Sequence, residues 1–266
     1  MKKVLLTGNE GFIGKNIYRK LSNNDRISDI FLIERDFVIR SNWVKELDHT
    51  VKSSDYILHV GAISDTMLQD ANKMMKYNFE FSKSLFDSAA DHNKTVIYSS
   101  SAANTGESGL PSNIYGWSKY IAEQYGMAKL NSFIALRYFN VYGPGEENKG
   151  KMSSVAYQAY KRGSFRLFPK EPKRDFVYID DVVDATIFPI FNSVEKNVYE
   201  VGSGQARTFE DVLSAMGLKF DYHDEKSIPN GYQFFTKADN KKFIKGWKPK
   251  YMLEDGIKSY LKYLSK

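Results

Sequence analysis

The chain has 266 residues, 42% hydrophobic and 26% charged, with a formal net charge of +6 and no dense basic block. That balance suits a folded globular protein whose surface tolerates anionic ligands, and it argues against nucleic acid as a partner. There is no cysteine, which excludes disulfides, thiolate nucleophiles and Cys-based zinc sites. The four histidines, at 49, 59, 92 and 223, are too scattered to suggest a metal cluster, so no metal is expected.

Residues 3–7 form a short apolar run that reads as a buried strand. The run meets Thr7-Gly8-Asn9-Glu10 too soon to be the apolar region of a signal peptide. No segment approaches the ~20 apolar residues of a membrane span, so a cytoplasmic protein with no membrane partner is expected. A helical pattern runs from the glycine turn to about Leu21. Residues 29–34, 56–60, 95–98 and 133–138 read as further strands. Between them, 67–92 is long enough for a helix with Met74, Met75, Phe79, Leu85 and Phe86 as core candidates, and a second helix is expected near 112–130. Strand and helix alternate, which predicts an α/β fold: a Rossmann-type, doubly wound, mainly parallel sheet with helices on both faces.

After Pro144-Gly145 the texture changes. A polar stretch leads to a helix near 152–162, then short strands, a helix at 180–192 and a last helix over 251–264. The expected organisation is a dinucleotide-binding domain over 1–145, with part of 180–202 returning to it, and a smaller substrate-binding lobe over 146–266.

Gly8, Gly11 and Gly14 stand between the first strand and the first helix. Glycines there let the backbone approach a pyrophosphate, and the helix N-terminus offers free N–H groups and the positive end of its dipole. The spacing Gly-x-x-Gly-x-x-Gly departs from the generic Gly-x-Gly-x-x-Gly, and a plain tight turn is the competing reading. Glu34, twenty residues on, suits the ribose 2′-OH of NAD, and the adjacent Arg35 suits the 2′-phosphate of NADP. A solvated Glu34–Arg35 pair is the alternative, and the two cofactor forms both stay open.

Tyr115-Gly116-Trp117-Ser118-Lys119 places a tyrosine and a lysine at i and i+4, on one helix face. A free phenol, with a pKa near ~10, is a poor base at neutral pH. An ammonium ~4 Å away, at an effective dielectric near ~20, favours the phenolate by about 4 kcal/mol before desolvation is subtracted. The same lysine can hold a nicotinamide ribose, and Ser101 is placed to orient a substrate hydroxyl. Tyr-x-x-x-Lys alone is common on surface helices. Combined with the glycine turn and Ser101, it points to Tyr115, Lys119 and Ser101 as catalytic residues.

With these residues in view, the chain resembles the extended short-chain dehydrogenases/reductases that act on nucleotide sugars. Val60-Gly61-Ala62, Asn78, Ser99-Ser100-Ser101-Ala102 and the run from Arg174 to Val182 agree with that group. Within it, the runs 137–144, 148–156, 173–177 and 232–239 resemble the ADP-L-glycero-D-manno-heptose 6-epimerase family, and the resemblance covers essentially the whole chain. It implies redox-neutral epimerisation through a transient keto-sugar with tightly bound NADP, NAD being possible. It implies that Tyr115 and Lys149 act as opposed acid/bases. The cofactor residues it implies are Gly8, Gly11, Phe12, Ile13, Gly14, Glu34, Arg35, Gly61, Ala62, Asn78, Tyr115, Lys119 and Val141. Asn140, Lys151, Gln158, Arg174 and Tyr232 would contact the sugar nucleotide. Arg174 suits a diphosphate through its fork of donors, with a sheet-edge salt bridge to Asp175 or Asp180 as the alternative. Lys149 without the resemblance reads equally as a solvated loop lysine. A homo-oligomer, at least a dimer, is expected through the helices near 67–92 and 112–130.

The chain also departs from the family. Ser101 and Tyr115 are only 14 positions apart, a shortened connection, and the stretch from Asp36 to Ser54 is short too. A 4-epimerase, reductase or dehydratase of the same superfamily therefore remains in view, although Ala102 and Ala103 lack the acidic pair usual in dehydratases. A non-catalytic dinucleotide-binding protein is a third reading, disfavoured by the joint presence of Ser101, Tyr115 and Lys119.

Overall fold

The computed structural model describes residues 1–34, 37, 42–106, 109–228 and 232–266. The chain divides into two compact units. The first comprises residues 1–137 and 183–199, the second 138–182 and 200–266.

The first unit opens with β1 (Lys2–Thr7), α1 (Phe12–Ser22), β2 (Ile27–Ile33), α2 (Trp43–Ser53) and β3 (Tyr56–His59). It continues with α3 (Ala71–Met75), α4 (Phe81–Asp91), β4 (Thr95–Ser101), α5 (Ile114–Lys129) and β5 (Phe133–Tyr138). One six-stranded sheet runs in the order β2-β1-β3-β4-β5-β9, its last strand being β9 (Asn197–Val201). The pairs β1–β2, β1–β3 and β3–β4 are parallel. This is the doubly wound Rossmann-type sheet that the alternation of elements predicts. The strand order reverses between β1 and β3, and ligands of such sheets bind beyond the carboxyl ends of the strands at that switch point.

The core of this unit joins Leu5, Ile57, Val96 and Ala135 from the sheet to Leu47, Val51, Leu85, Phe86 and Ala122 from the helices. The α2 helix was not expected from sequence. Only Leu47 and Val51 on it are buried, so its apolar stripe is too thin to stand out. The helix expected over 67–92 begins at Ala71, where Asp70 caps it by accepting the Lys73 N–H. A π-helical turn over Lys76–Glu80 interrupts it. Met74, Leu85 and Phe86 are buried as expected, whereas Met75 and Phe79 are only partly so. Asn78, inside the π turn, is buried in their stead; such single turns often mark functional positions.

The second unit contains β6 (Asn140–Tyr142), α6 (Val155–Arg162), β7 (Phe165–Leu167) and β8 (Lys173–Tyr178). From β8 the chain enters α7 (Ile179–Phe191), which carries it back to the first unit at Val183. After β9 follow β10 (Ala206–Thr208), α8 (Phe209–Ala215), β11 (Phe220–Tyr222) and α9 (Leu253–Leu264). A three-stranded sheet has the order β10-β8-β6, and β7 pairs with β11 in parallel. Ala159, Leu167 and Leu213 centre a small core that Phe165, Phe209 and Phe220 help to cover. α6 starts at Val155, because the Ser154 side chain caps it by accepting the Tyr157 N–H; Gly163, in the left-handed region, ends it. Among the described residues no helix is long and apolar enough to cross a membrane.

Candidate active site

The glycine turn after β1 is built for close backbone approach. Gly8 has φ +75°, and a Cβ there would lie 2.5 Å from the Gly61 Cα. A Cβ on Gly14 would lie 1.9 Å from the Gly8 carbonyl oxygen. Only glycine fits either place. α1 starts at Gly11 with no side chain capping it and no acid in its first turn, so its N-terminal N–H groups keep their affinity for an anion. Phe12 and Gly14 are buried in that first turn, with Ile13 partly exposed between them. Glu34, just past β2, accepts the Glu10 N–H at 3.1 Å and so stands beside the turn. The Asn9 Oδ1 is buried there without a hydrogen-bond partner. A glycine cradle, an uncapped helix and an orphaned polar atom together fit a dinucleotide. Arg35 lies outside the described residues.

Gly61 and Ala62 follow β3. The Thr7 Oγ1 accepts the N–H groups of Val60 at 3.1 Å and Gly61 at 2.9 Å, fixing the two strand ends together. The Asn78 side chain accepts the Ile63 N–H at 2.8 Å and donates to the Ile63 carbonyl at 2.9 Å and to Ser118 Oγ at 3.0 Å. Ser118 in turn donates to the Tyr115 carbonyl at 2.7 Å. Asn78 therefore ties the loop after β3 to the helix that carries Tyr115.

Ser101, Tyr115 and Lys119 converge on the C-terminal end of β4. Asn113 caps α5 by accepting the Gly116 N–H at 2.8 Å, so Tyr115 and Lys119 fall on one face a turn apart. Gly116 is obligatory, since a Cβ would lie 2.5 Å from the Ala103 carbonyl. Burial pushes the Tyr115 phenol above its ordinary range, and a hydrogen bond with the Ser101 side chain draws it part of the way back. This differs from the expected lowering by Lys119, because desolvation is the larger effect on the phenol. Lys119 is itself buried, and its Nζ donates to the Ser99 carbonyl at 2.6 Å and lies 4.7 Å from the centre of the Tyr98 ring. Burial lowers it to about 7 against the pull of Glu123.

The second unit holds a cavity of about 510 Å³. Asn140, Val141, Lys149, Gln158 and Tyr232 all line it, so five residues singled out from the sequence meet in one place. Asn140 and Val141 belong to β6, in register with Phe176 and Val177 of β8. Gln158 is held by the Ser153 carbonyl, 2.8 Å from its Nε2. Arg174 is not at the cavity surface. Its guanidinium donates to the carbonyls of Gln233 and Lys173 and lies 5.3 Å from the centre of the Tyr232 ring and 5.8 Å from that of Phe209. It supports two cavity walls. Asp175, one of the two alternative partners, is occupied by Ser203, Gly204 and Ala238. The Lys151 side chain is exposed and does not line the cavity.

Lys149 sits on a 3-10 turn, Glu147–Met152, gripped by the buried Glu146. Glu146 accepts from the Gly143 N–H at 3.2 Å on one side and from Ser154 Oγ at 2.7 Å on the other. Burial lowers the Lys149 amine, and Glu146 opposes the fall. Sequence reasoning missed Phe168 and His223, which complete an aromatic wall with Tyr232: the Phe168 ring lies 5.6 Å from that of His223 and 5.2 Å from that of Tyr232. It also missed Glu123, although that residue repeats the Tyr115–Lys119 spacing once more.

Residues 4–202 match the model of the NAD dependent epimerase/dehydratase family. The chain is 32% identical to the ADP-L-glycero-D-manno-heptose-6-epimerase of Brachyspira hyodysenteriae, over 99% of this chain and 98% of that one. It is similar to the crystal structure of the Helicobacter pylori ADP-L-glycero-D-manno-heptose-6-epimerase, with a TM-score of 0.85 and 27% identity over 99% and 96% of the two chains. In fold alone it is also similar to the UDP-glucose 4-epimerase of Thermotoga maritima, with a TM-score of 0.82 and 23% identity over 99% and 98%. The chain belongs to the NAD dependent epimerase/dehydratase family. It is an enzyme of that family, and its resemblance to nucleotide-sugar epimerases, first visible in its motifs, holds over its full length.

Proposed function

We propose that the protein inverts one sugar carbon of a nucleotide-activated heptose, as an ADP-glycero-manno-heptose 6-epimerase. The observation that carries this reading is the convergence of Tyr115, Ser101 and the buried Lys119 at the end of β4, beside a glycine turn that fits a dinucleotide. The full-length likeness to relatives bearing that name supports the choice of substrate.

A bound nicotinamide dinucleotide supplies reversible hydride transfer, so the net reaction is redox-neutral and passes through a transient keto-sugar. The residues of the chain handle the proton. Ser101 orients the sugar hydroxyl. Tyr115 Oη takes up or returns its proton, and the Lys119 ammonium stabilises the phenolate form. Lys149 is the second proton-handling group; burial lowers its amine from the ordinary lysine range, which makes its proton easier to release. Asn140, Gln158 and Tyr232 hold the sugar nucleotide, with Arg174 fixing the Tyr232 wall. The expected cofactor form is NADP, through Arg35; a protein that retains only NAD on purification would assign the ribose to Glu34.

The test is product analysis by NMR after incubation with ADP-heptose, GDP-sugars and UDP-sugars. Tyr115→Phe should keep its cofactor and lose roughly 10²–10⁴-fold in turnover; wild-type turnover in that variant would sink the assignment. Lys149→Ala should abolish 6-epimerisation. If it does not, the second reading, a 4-epimerase, reductase or dehydratase of the same superfamily, takes over. The shortened Ser101–Tyr115 connection is the feature that favours it.

A further inference from the structure

Behind Lys119 lies a charged group for which the proton chemistry of Tyr115 has no direct use. Glu123 stands one helical turn beyond Lys119, and its side chain is wholly buried. Its Oε2 accepts from Ser100 Oγ at 2.6 Å and from Asn104 Nδ2 at 3.1 Å. Arg137 of β5 closes on both oxygens, with Nε 3.0 Å from Oε2 and Nη2 2.6 Å from Oε1. Ser100 immediately precedes Ser101, and Asn104 ends the turn that follows it. One carboxylate thus joins the strand end, the turn and the next strand to the helix that bears Tyr115 and Lys119.

Stability alone is a weak explanation for such a pair, since buried ion pairs are often replaced by apolar residues without loss. The charge has a second effect. From β4, Lys119 meets the Ser99 carbonyl and the Tyr98 ring. From β3, the nearest titratable group is the buried His59, held neutral. On α5 the neutral Tyr115 stands one turn before it and Glu123, whose charge it feels, one turn after. Arg137, beyond Glu123, has its charge engaged by that carboxylate. Among these neighbours Glu123 is the anion.

We propose that Glu123 is a positioning residue for the catalytic pair: with Arg137 it locks α5 against the Ser100–Asn104 segment, and it supplies the negative charge that balances the Lys119 ammonium. This rests on the reading of Tyr115 and Lys119 as the acid/base pair. The sign of the effect is fixed. Removing the anion makes Lys119 lose its proton at lower pH, and the Arg137 charge, no longer countered by Glu123, adds to that tendency.

The experiment compares wild type, Glu123→Gln and Glu123→Gln/Arg137→Met as purified with their cofactor. Turnover is measured from pH 5.5 to 9, and the Lys119 Nζ is titrated by NMR in lysine-labelled protein. The single variant should lose turnover at about one pH unit lower than wild type, a roughly tenfold deficit on the alkaline side, with little change at the acid end. The double variant should fall between the two. A uniform loss across pH with an unmoved Lys119 titration would overturn the proposal, leaving Glu123 a purely structural role. If the single variant does not fold, the double variant, which does not leave the Arg137 charge behind without Glu123, carries the test. An unmoved titration in it, or its failure to fold, overturns the proposal equally. A Lys119 titration that moves while the pH profile of turnover stays fixed upholds the Glu123 effect and defeats the catalytic reading of Lys119 instead.

Discussion

Thr7 Oγ1 and His59 Nδ1 lie 2.8 Å apart at the base of the glycine turn. The threonine oxygen already accepts two N–H groups, from Val60 and Gly61, so its proton goes to Nδ1. Ser82 Oγ donates to the Asn78 carbonyl, so at 2.7 Å from Nε2 it receives the imidazole proton. His59 is therefore the Nε2–H tautomer, neutral and buried, and burial holds it well below the ordinary histidine range.

That fixes the sign of an acid effect. Below its ordinary value of 6.5 the unfolded histidine takes up a proton that the folded one refuses, so stability falls as pH drops through that range. At pH 5 the loss from this group is at most about 2 kcal/mol. His59→Gln should be less stable than wild type at pH 7.5 by about 1–3 kcal/mol, yet lose less between pH 7.5 and 5. Urea titrations at both pH values measure this; equal acid slopes in the two proteins would refute it.

The glycine turn separates folding from cofactor binding. Gly14→Ala places a Cβ on the Gly8 backbone and should cost about 1–3 kcal/mol of stability. Gly11 has an ordinary φ of −72° and a Cβ there would meet only the Gly8 carbonyl oxygen, at 3.3 Å. Gly11→Ala should fold almost as wild type while retaining less cofactor, because the new methyl crowds the phosphate side of α1. Thermal melts together with the nucleotide content of the purified proteins would separate the two. Full cofactor in Gly11→Ala would count against this phosphate site.

Arg174 is expected to act through binding. Lysine keeps the charge but cannot lie flat beside Tyr232 and Phe209 while donating to the carbonyls of Lys173 and Gln233. Arg174→Lys should raise KM about tenfold, on the order of 1.4 kcal/mol, and leave kcat within about threefold. Steady-state kinetics decides, and an unchanged KM would remove Arg174 from the substrate wall.

Much of this organisation was legible because it is local. The run into Gly8, Gly11 and Gly14 and the i, i+4 pair of Tyr115 and Lys119 each declare themselves within a dozen residues. Asn140, Val141, Lys149, Gln158 and Tyr232 were reached through family motifs, and the cavity gathers all five. What escaped depends on distant partners. Phe168 and His223 are single aromatic residues from separate segments that only the folded second unit brings together. The π turn leaves no periodic trace, since one extra residue shifts the helical phase without changing composition. Lys151 matched a motif, yet its side chain points to solvent, because a motif fixes the chain's path and not the direction of each side chain on it.

The clasp around Lys149 bears on the thermodynamics of binding. Its turn is closed at both ends by one buried carboxylate, from the Gly143 N–H at the entrance to Ser154 at the exit. A loop left open would lose backbone freedom each time it gripped a ligand, at about 1–2 kcal/mol per ordered residue. Here that ordering is completed once, during folding. A substrate that engages Lys149 has only the lysine's own rotamers left to restrict, so the affinity it gains is not spent on shaping the loop.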